Sequence, residues 1–445
     1  MHNLRDTYYF VGIGGISMSG LAAYYLSKGA LVMGYDKTPS PITQDLAMKG
    51  AVITYDAAVE ALPPAVKNPN TIVVVTAAIP FSHPQIAYFL ECGNKVIKRA
   101  AFLGAYCKDK YALAVAGTHG KTTTLSLLAH IYANSEEQFT AFLGGILNQY
   151  ESNLIHRGDT TALVEADEFD RSFLELHPNL AAITSMDADH LDIYGAADAV
   201  AMAFRSFAAQ VKDQLIVAYG LPLEGLTYGI QVPADYAIPN YKKTETGYIF
   251  DLQTPSGNYH NNHLPLLGAH NLSNALCAIA LADQAQLKMP DVLEAVATFP
   301  GVYRRMNVHR LGHRILIDDY AHHPTELRGL YDTVQEFYAT QKKCILFQPH
   351  LFSRTRDFME GFVSVLKQFD EVLLLEIYPA RELPIEGVSS AALLAKMDHK
   401  NAKVITKNEI LSALEQSSAT LFVFAGAGDI GLEVAPIVNH YSTAV

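Results

Sequence analysis

The sequence predicts an α/β protein of three domains, each built around a largely parallel sheet. The chain has 445 residues, which is too many for one compact core. Short apolar runs alternate with helical segments along most of its length, as parallel sheets flanked by helices require. Two of these runs lead into glycine-rich turns that open helices, and such turns are typical of phosphate-binding α/β domains.

We place the domain boundaries near residues 108 and 300, where the alternation of strands and helices restarts. Residues 1–108 are predicted to form a Rossmann-like domain with strands in "YYFVGIG", "ALVMGYD", "AVITYD" and "TIVVVTAAI". Residues 109–300 are predicted to form a P-loop-like α/β domain, whose polar stretch between Thr227 and Leu267 adds short antiparallel strands. Residues 301–445 are predicted to form a second Rossmann-like domain with strands in "HRILIDDYA", "KKCILFQPH", "EVLLLEIY" and "ATLFVFAGAGD".

Composition and charge narrow the possible partners. Half of the residues are hydrophobic, and the formal net charge is −12 without a long run of Lys or Arg. Nucleic acid and anionic membranes are therefore disfavoured as main partners. The sequence has no signal-peptide pattern and no apolar run near the ~20 residues of a spanning helix, so we expect a cytoplasmic protein. The four cysteines show no C-x-x-C pairing that would predict a zinc site or a disulfide framework.

The stretch "AVAGTHGKTTT" predicts a nucleotide-binding loop between a strand and a helix. Its expected phosphate-binding residues are Gly117, Thr118, Gly120, Lys121, Thr122 and Thr123. Backbone N–H groups at a helix start attract phosphate, Lys121 is expected to reach the terminal phosphates, and Thr122 to hold magnesium. Val115 replaces the first glycine of the strict P-loop pattern, so a chance glycine turn is the alternative. The apolar strand before the loop and the helix after it favour nucleotide binding.

The stretch "VGIGGISMSG" predicts a second phosphate site. Its turn glycines are Gly12, Gly14 and Gly15. Ser17 stands where the dinucleotide fingerprint has its third glycine, so the turn predicts a bound diphosphate without requiring nicotinamide. A dehydrogenase is the alternative that this serine disfavours. Asp36, at the end of the next strand, is either a ribose contact or a turn residue.

Candidate metal ligands follow two neighbouring strands of the central domain. Glu165 ends the apolar run "TTALVE", and His190 follows the next strand in "SMDADHLDIY". Both lie at the expected carboxyl edge of the sheet, close to the loop that carries Thr122. This placement favours magnesium ligation over the alternatives, a salt bridge for Glu165 and a turn position for His190.

The last domain supplies a candidate anion site. Asp319, Tyr320 and His322 follow the strand "HRILI" within "DDYAHHPTE". The paired histidines do not favour zinc, because adjacent residues on an extended chain point in opposite directions. "QPHLFSRTRD" adds Arg354 and Arg356, which can grip a carboxylate by bidentate hydrogen bonds. A solvated basic patch is the alternative.

Taken together, the motifs resemble the Mur ligase family over nearly the whole chain. They are, in family order, "GIGGISMSGLA", "GTHGKTTT", "EADEFDRSF", "DADHLDIY", "GAHNLSNALCA", "GVYRR", "DDYAHHPTE" and "QPHLFSRTRD". The resemblance implies an ATP-dependent ligase that joins L-alanine to the carboxylate of UDP-N-acetylmuramate through an acyl phosphate, in peptidoglycan precursor synthesis. It implies ATP and two magnesium ions as cofactors, small-molecule substrates as partners, and a monomer or weak homodimer. The alternatives are a family member that attaches a whole tripeptide to the same UDP-sugar, and a non-catalytic nucleotide-gated binding protein.

The resemblance also implies which residues form each site. The UDP-sugar site comprises Gly12, Gly14, Gly15, Ser17, Met18, Ser19, Asp36, Thr76 and Ala77. The ATP site adds His270, Asn271, Asn274, Arg305 and Asp319 to the loop residues. The alanine site comprises Tyr320, His322 and Arg354, and the metal ligands are Thr122, Glu165 and His190. The catalytic residues are Lys121, His190, His322 and Arg354. Leu351 stands where some relatives carry arginine. Arg354 is therefore expected to contribute a larger share of the binding of the alanine carboxylate.

Overall fold

Three sheets organise the chain, each flanked by helices. A computed structural model describes residues 6–187, 194, 197–380 and 382–443. Its helices are α1 (Ile16–Ser27), α2 (Pro41–Met48), α3 (Pro84–Glu91), α4 (Arg99–Cys107), α5 (Lys121–Ala133), α6 (Ala197–Ala208), α7 (Ala269–Gln284), α8 (Met289–Ala297), α9 (Pro324–Phe337), α10 (Phe352–Asp357), α11 (Met359–Leu366), α12 (Ser390–Met397), α13 (Ile410–Gln416) and α14 (Val434–Thr443). Short 3₁₀ turns lie at Val59–Ala61, Pro64–Val66, Phe169–Glu175, Lys407–Glu409 and Asp429–Glu433. The predicted α/β class is confirmed.

The first sheet is entirely parallel, with strand order β3-β2-β1-β4-β5. Its strands are β1 (Thr7–Val11), β2 (Leu31–Tyr35), β3 (Val52–Thr54), β4 (Ile72–Val75) and β5 (Lys95–Lys98). The continuous apolar runs of β1 and β4 are buried, as expected for inner strands of a parallel sheet. The strand order reverses between β1 and β4, so the loops after these two strands meet at the switch point where ligands bind in open α/β sheets.

The second sheet has eleven strands in the order β14-β15-β13-β12-β11-β10-β6-β9-β7-β8, with β16 paired to β15. Its strands are β6 (Tyr111–Ala116), β7 (Phe139–Leu147), β8 (Ser152–His156), β9 (Thr161–Ala166), β10 (Leu180–Ile183), β11 (Gln214–Ala218), β12 (Leu226–Ile230), β13 (Tyr236–Ile238), β14 (Tyr241–Lys243), β15 (Tyr248–Thr254) and β16 (Gly257–Leu264). The strands between Thr227 and Leu267 were predicted to be antiparallel. They become antiparallel only where β15 joins β13, whereas β12 and β13 still run parallel to the sheet. Tyr228, Tyr236 and Ile238 are buried, so β12 and β13 extend the core of this sheet.

One hydrophobic cluster spans the first two sheets. It joins Phe10 and Phe102 of the first sheet's layers to Phe142, Phe173 and Phe204 of the second. Aromatic contacts cross between them, because the rings of Tyr24 and Tyr106 lie 5.8 and 5.1 Å from that of Phe142. The predicted boundary near residue 108 therefore falls between two sheets that share a core, and the division into three domains stays a prediction.

The third sheet has the order β17-β18-β22-β19-β20-β21 and is parallel apart from β17. Its strands are β17 (Asn307–Leu311), β18 (Arg314–Asp319), β19 (Lys343–Phe347), β20 (Glu371–Leu374), β21 (Ala402–Val404) and β22 (Leu421–Ala425). Asp319 and Phe347, the last residues of β18 and β19, both pair with Ala425 of β22. The loops that carry "YAHHP" and "QPHLFSRTR" therefore leave the sheet at the same edge.

The chain divides into two compact units. The first comprises Met1–Lys242, Ile249–Leu264 and Ser273–Pro300, and the second comprises Lys243–Tyr248, Pro265–Leu272 and Gly301–Val445. Helix α7 thus begins in the second unit and continues in the first. In the part of the chain that the structure describes, every helix is too short or too polar to cross a membrane.

Candidate active site

The nucleotide loop has a backbone that only glycine accommodates at two positions. Gly117 and Gly120 have φ angles of 134° and 82°, in the left-handed region. A side chain at Gly117 would also meet Ser185 N at 2.9 Å, and one at Gly120 would collide with the Asn274 amide. The segment that follows β10 holds this loop in place, because the Ser185 hydroxyl accepts a hydrogen bond from the His119 N–H at 2.8 Å. The loop is therefore rigid and opens directly onto the start of α5.

Lys121 forms a buried ion pair that the sequence did not reveal. Its ammonium donates to both carboxylate oxygens of Glu168, at 2.9 and 2.7 Å, and to the Gly117 carbonyl at 2.5 Å. Burial alone would lower the pKa of Lys121, but the carboxylate of Glu168, helped by Asp167, raises it above its ordinary value. The lysine is therefore charged and oriented towards the loop. The only sequence signal for this partner was its place in "EADE", at the end of β9.

Thr122 and Glu165 lie together at the start of α5 and the end of β9. The Glu165 carboxylate accepts from the Thr122 hydroxyl and from Gly144 N, the latter at 3.1 Å. Burial raises the pKa of Glu165, and these hydrogen bonds and Lys121 oppose the rise. A hydroxyl and a carboxylate are oxygen donors of the kind that magnesium prefers, so these residues fit the ion. His190 lies outside the described residues, and among those described no group of three or more His, Cys, Asp or Glu side chains is arranged around a metal position.

The diphosphate turn is braced by Asp36. Gly12 has a φ of 88°, and a side chain there would meet the Thr76 methyl at 2.7 Å. Asp36 accepts from Gly14 N at 2.7 Å and from Lys37 N at 2.8 Å. Asp36 therefore supports the turn, and its predicted ribose contact stays a prediction. The structure brings Gly12, Gly14, Asp36 and Thr76 together at the switch point.

The other residues predicted for the UDP-sugar differ in exposure. Gly15 and Ala77 are exposed, and Ser17 is partly exposed. The side chains of Met18 and Ser19 are buried within the protein. The Ser19 hydroxyl donates to the Ile16 carbonyl and accepts from Asn153 of β8 at 2.9 Å. Their backbone N–H groups donate to the Gly15 carbonyl at 2.9 and 2.8 Å, so the contacts of Met18 and Ser19 with the UDP-sugar stay predictions.

A small cleft lies beside α1 and the end of β9 within the first unit. Its lining includes Ser17 and Gly20 of α1, Gly144 of β7, and Glu165 and Asp167 at the end of β9. Arg99, at the start of α4, completes this wall. The carboxylate expected to hold metal and the helix expected to hold diphosphate therefore face one cavity.

The predicted alanine residues form an aromatic and cationic cluster in the second unit. The rings of Tyr320 and His350 lie 5.4 and 5.9 Å from that of His322. Arg354 is 9% exposed, and its Nη1 lies 3.4 Å from His350 Nδ1. Tyr378 stacks on His350 at 5.7 Å, a neighbour for which the sequence carried no signal.

His322 has a defined tautomer in this cluster. Its Nδ1 lies 2.9 Å from the Tyr320 carbonyl oxygen, which can only accept a hydrogen bond. The proton of the neutral ring therefore sits on Nδ1, and Nε2 is the acceptor. Burial lowers the pKa of His322, Glu326 opposes this, and the nearby Arg354 cation lowers it further. By contrast, Arg356 is exposed and pairs with Asp357 at 2.7 Å, away from the cluster.

Asp319 shapes the loop that carries Arg305. Its carboxylate accepts from Met306 N and from Ala321 N, both at 2.8 Å. Burial raises its pKa, and Arg305 opposes this rise. The Arg305 guanidinium lies 5.1 Å from the Tyr320 ring centre. Asp319 is therefore a support for Arg305 and Tyr320, and its contact with the ATP ribose stays a prediction.

The residues predicted for the adenine side begin helix α7. Asn274, in the first unit, lies against Gly120 and accepts from the Thr124 hydroxyl at 3.4 Å. Asn271, in the second unit, donates to the Leu267 carbonyl at 2.7 Å, and His270 lies beside Gly268. The structure therefore places Asn274 at the nucleotide loop, whereas Asn271 holds the loop before its own helix.

Comparison with known proteins accounts for this arrangement. Sequence models match the chain in three consecutive segments: the Mur ligase family catalytic domain over residues 7–111, the Mur ligase middle domain over 115–282, and the Mur ligase glutamate ligase domain over 304–429. The chain belongs to the Mur ligase family. Each loop described above lies within one of the matched segments or at its edge.

Individual relatives match this Mur ligase over its full length. The UDP-N-acetylmuramate–L-alanine ligase of Flavobacterium psychrophilum is 49% identical over 98% of this chain and 97% of its own. The ligase of the same name from Flavobacterium johnsoniae is 47% identical over 98% of both chains. The crystal structure of the UDP-N-acetylmuramate–alanine ligase of Thermotoga maritima has a TM-score of 0.85 at 28% identity, covering 99% of this chain and 100% of its own. A murein peptide ligase from Psychrobacter arcticus has a TM-score of 0.75 at 20% identity over 99% of both chains, which shows the shared fold alone.

Proposed function

We propose that this Mur ligase uses ATP to join L-alanine to the carboxylate of UDP-N-acetylmuramate. The substrates follow from the names of its full-length relatives, which are L-alanine ligases at up to 49% identity. The observation that carries the reaction is the cleft shared by the helix of the diphosphate turn and by Glu165 beside the nucleotide loop. The proposed metal ligand and the helix after the diphosphate turn thus line one small cavity, which supports the proposal.

The chemistry requires activation of the carboxylate. A carboxylate is a poor acyl donor, because its leaving group would be oxide. Transfer of the γ-phosphoryl group turns that oxygen into phosphate, and the resulting acyl phosphate is open to attack by an amine. Phosphoryl transfer depends mainly on positioning and on neutralising charge, and the charged Lys121 at the loop fits this role.

Thr122 and Glu165 are the residues that would hold magnesium, with His190 as ligand of a second ion. When bound there, magnesium neutralises charge on the phosphates and orients them. The partly buried Glu165 carboxylate stays in place through its hydrogen bonds from Gly144 N and the Thr122 hydroxyl.

The second unit is proposed to bind alanine. The buried Arg354 can hold the alanine carboxylate by a bidentate contact. Attack requires a free amine, so the alanine ammonium has to lose a proton. Neutral His322 presents Nε2 as an acceptor and can take that proton. Tetrahedral collapse then releases phosphate and leaves the amide.

We propose three functional domains for these roles. Residues 1–108 would bind the UDP-sugar, residues 109–300 ATP, and residues 301–445 the amino acid and part of ATP. The remaining assignments carried from the family are an acyl phosphate intermediate, a cytoplasmic location and a monomer or weak homodimer.

A coupled assay of phosphate release tests the function. Release should require UDP-N-acetylmuramate, ATP, magnesium and L-alanine together, and mass spectrometry should detect the L-alanyl product. Glycine, L-serine and the tripeptide serve as competing acceptors. Release with the tripeptide but not with alanine would contradict the proposal and assign the chain to peptide recycling.

A further inference from the structure

The cleft beside α1 and β9 has a single positively charged residue among its described lining side chains. Arg99 begins α4 immediately after β5, and its side chain is 13% exposed. Two carboxylates, those of Glu165 and Asp167, line the same cavity. An anionic substrate group that enters this cleft would meet repulsion unless a cation compensates it.

Asp167 orients Arg99 without a close hydrogen bond. The Asp167 Oδ2 lies 3.6 Å from Arg99 Nη2, which is an ion pair longer than a hydrogen bond. The guanidinium is therefore held in the wall of the cleft by charge. Its planar set of N–H donors matches the two oxygens of a carboxylate.

We propose that Arg99 binds the carboxylate of the muramoyl group and presents it for phosphorylation. This inference rests on the proposed function. The diphosphate is expected at the turn before α1, whereas Glu165 marks the end of the cleft next to Thr122. The carboxylate that receives phosphate has to lie at the Glu165 end, and Arg99 shares the cavity wall with Glu165 and with Ser17 of α1.

The neighbouring Lys98 provides a matched control. It forms an ion pair with Asp170 at 2.9 Å, also between the first sheet's layer and the segment after β9. Its side chain is 50% exposed and is absent from the described lining of the cleft. If Arg99 only joined the two layers, the variants Lys98→Ala and Arg99→Ala would behave alike.

Calorimetric titration of the full chain with two sugar nucleotides tests the proposal. The titrations include magnesium and a non-hydrolysable ATP analogue, and they compare UDP-N-acetylmuramate with UDP-N-acetylglucosamine, which lacks the lactyl carboxylate. Arg99→Ala should weaken binding of UDP-N-acetylmuramate about tenfold or more, the loss expected for charge-assisted hydrogen bonds. Binding of UDP-N-acetylglucosamine should not change, and Lys98→Ala should affect neither ligand.

Other outcomes overturn the assignment. An equal loss for both ligands would move Arg99 to the diphosphate, and no loss for either would make it a structural residue. If Arg99→Ala melts at a lower temperature than the parent, Arg99→Lys provides a second test, because it keeps the charge. It should still lose part of the UDP-N-acetylmuramate affinity, because an ammonium cannot form the planar contact. Parental affinity in Arg99→Lys would also reject the proposal. Failure of the parent protein to bind UDP-N-acetylmuramate would instead reject the proposed function.

Discussion

Replacement of Lys121 by methionine is expected to destabilise the first unit as well as to stop catalysis. The ammonium lies 2.9 and 2.7 Å from the carboxylate oxygens of Glu168, and the two side chains are 15% and 4% exposed. Removing one partner of a buried ion pair leaves an uncompensated charge and costs about 3–5 kcal/mol. Because 1 kcal/mol shifts the transition by roughly 2–4 °C in domains of about 150–250 residues, the melting temperature should fall by roughly 6–20 °C.

The double variant Lys121→Met/Glu168→Gln separates stability from chemistry. In the double variant both charges are removed, so no buried carboxylate is left without a counter-ion. Most of the stability lost in Lys121→Met should therefore return. Turnover should stay depressed by about 10²–10³-fold or more, as when one group that stabilises transition-state charge is removed. In Glu168→Gln alone, Lys121 keeps its hydrogen bond to the Gly117 carbonyl. This variant should therefore lose less stability than Lys121→Met.

Scanning calorimetry and phosphate release, measured on the parent, both single variants and the double variant, give the answer. UDP-sugar binding by each folded variant serves as the control and should match the parent. A double variant no more stable than Lys121→Met would show that the ion pair is not the source of the loss. Near-parental phosphate release by Lys121→Met would remove this loop from the ATP site.

Three further predictions address other parts of the molecule. Arg354→Ala should raise the half-saturating alanine concentration on the order of tenfold to a hundredfold, since each charge-assisted hydrogen bond contributes roughly 1.5–3 kcal/mol; steady-state kinetics that show equal losses for all three substrates would place the alanine carboxylate elsewhere. His190→Ala should raise the magnesium requirement more than it weakens UDP-sugar binding, and overlapping magnesium titrations of variant and parent would exclude ligation. Burial lowers the pKa of His130 on α5 to about 4, below the unfolded value of 6.5. Its contribution to stability is therefore present above pH 6.5 and is lost as pH falls towards 4, by on the order of 3 kcal/mol. His130→Gln should lose less of its melting temperature between pH 7.5 and pH 5 than the parent does, because His270 and His322, whose pKa values burial also lowers, contribute to the acid loss of both proteins. An identical acid loss in variant and parent would refute this.

Much of the fold and both phosphate loops could be predicted because their signals are local. A buried parallel strand needs a continuous apolar run, and "YYFV" and "ALAVA" provide one directly before each loop. The tight turns need left-handed backbone, and Gly12, Gly117 and Gly120 adopt it. Sequence and structure therefore agree wherever one short segment determines the conformation.

Contacts between distant segments could not be predicted in this way. Glu168 was not assigned, because its approach to Lys121 depends on how β6 and β9 pair in the sheet. Asp319 was assigned to the ATP ribose, and Asp36 was left as either a ribose contact or a turn residue. Backbone N–H groups from their own and neighbouring loops donate to both carboxylates, and the ribose contacts stay predictions. A carboxylate at a strand end looks the same in sequence whether it serves a ligand or the loop beside it.

The carboxylates at the end of β9 connect the parts of the proposed reaction. Glu165 meets the Thr122 hydroxyl, Asp167 faces Arg99, and Glu168 pairs with Lys121. Glu165 lies on β9 and Asp167 directly follows the strand, and both line the cleft. Asp170 and Arg171, inside the segment Phe169–Glu175, adopt left-handed backbone with φ of 52° and 55° and kink this segment.

This arrangement has a consequence for substrate binding. Before ligands arrive, the two cations of the first unit that would receive a substrate anion, Lys121 and Arg99, are each oriented by an acid from one short segment. A terminal phosphate has to compete with Glu168 for Lys121, and a carboxylate has to compete with Asp167 for Arg99. A small free anion therefore gains little binding free energy from these cations. A substrate that is anchored elsewhere by its diphosphate or its adenine side can displace the acid, because anchoring gives its anionic group a high local concentration. The same acids that orient the cations thus favour anions that belong to a larger, correctly placed substrate.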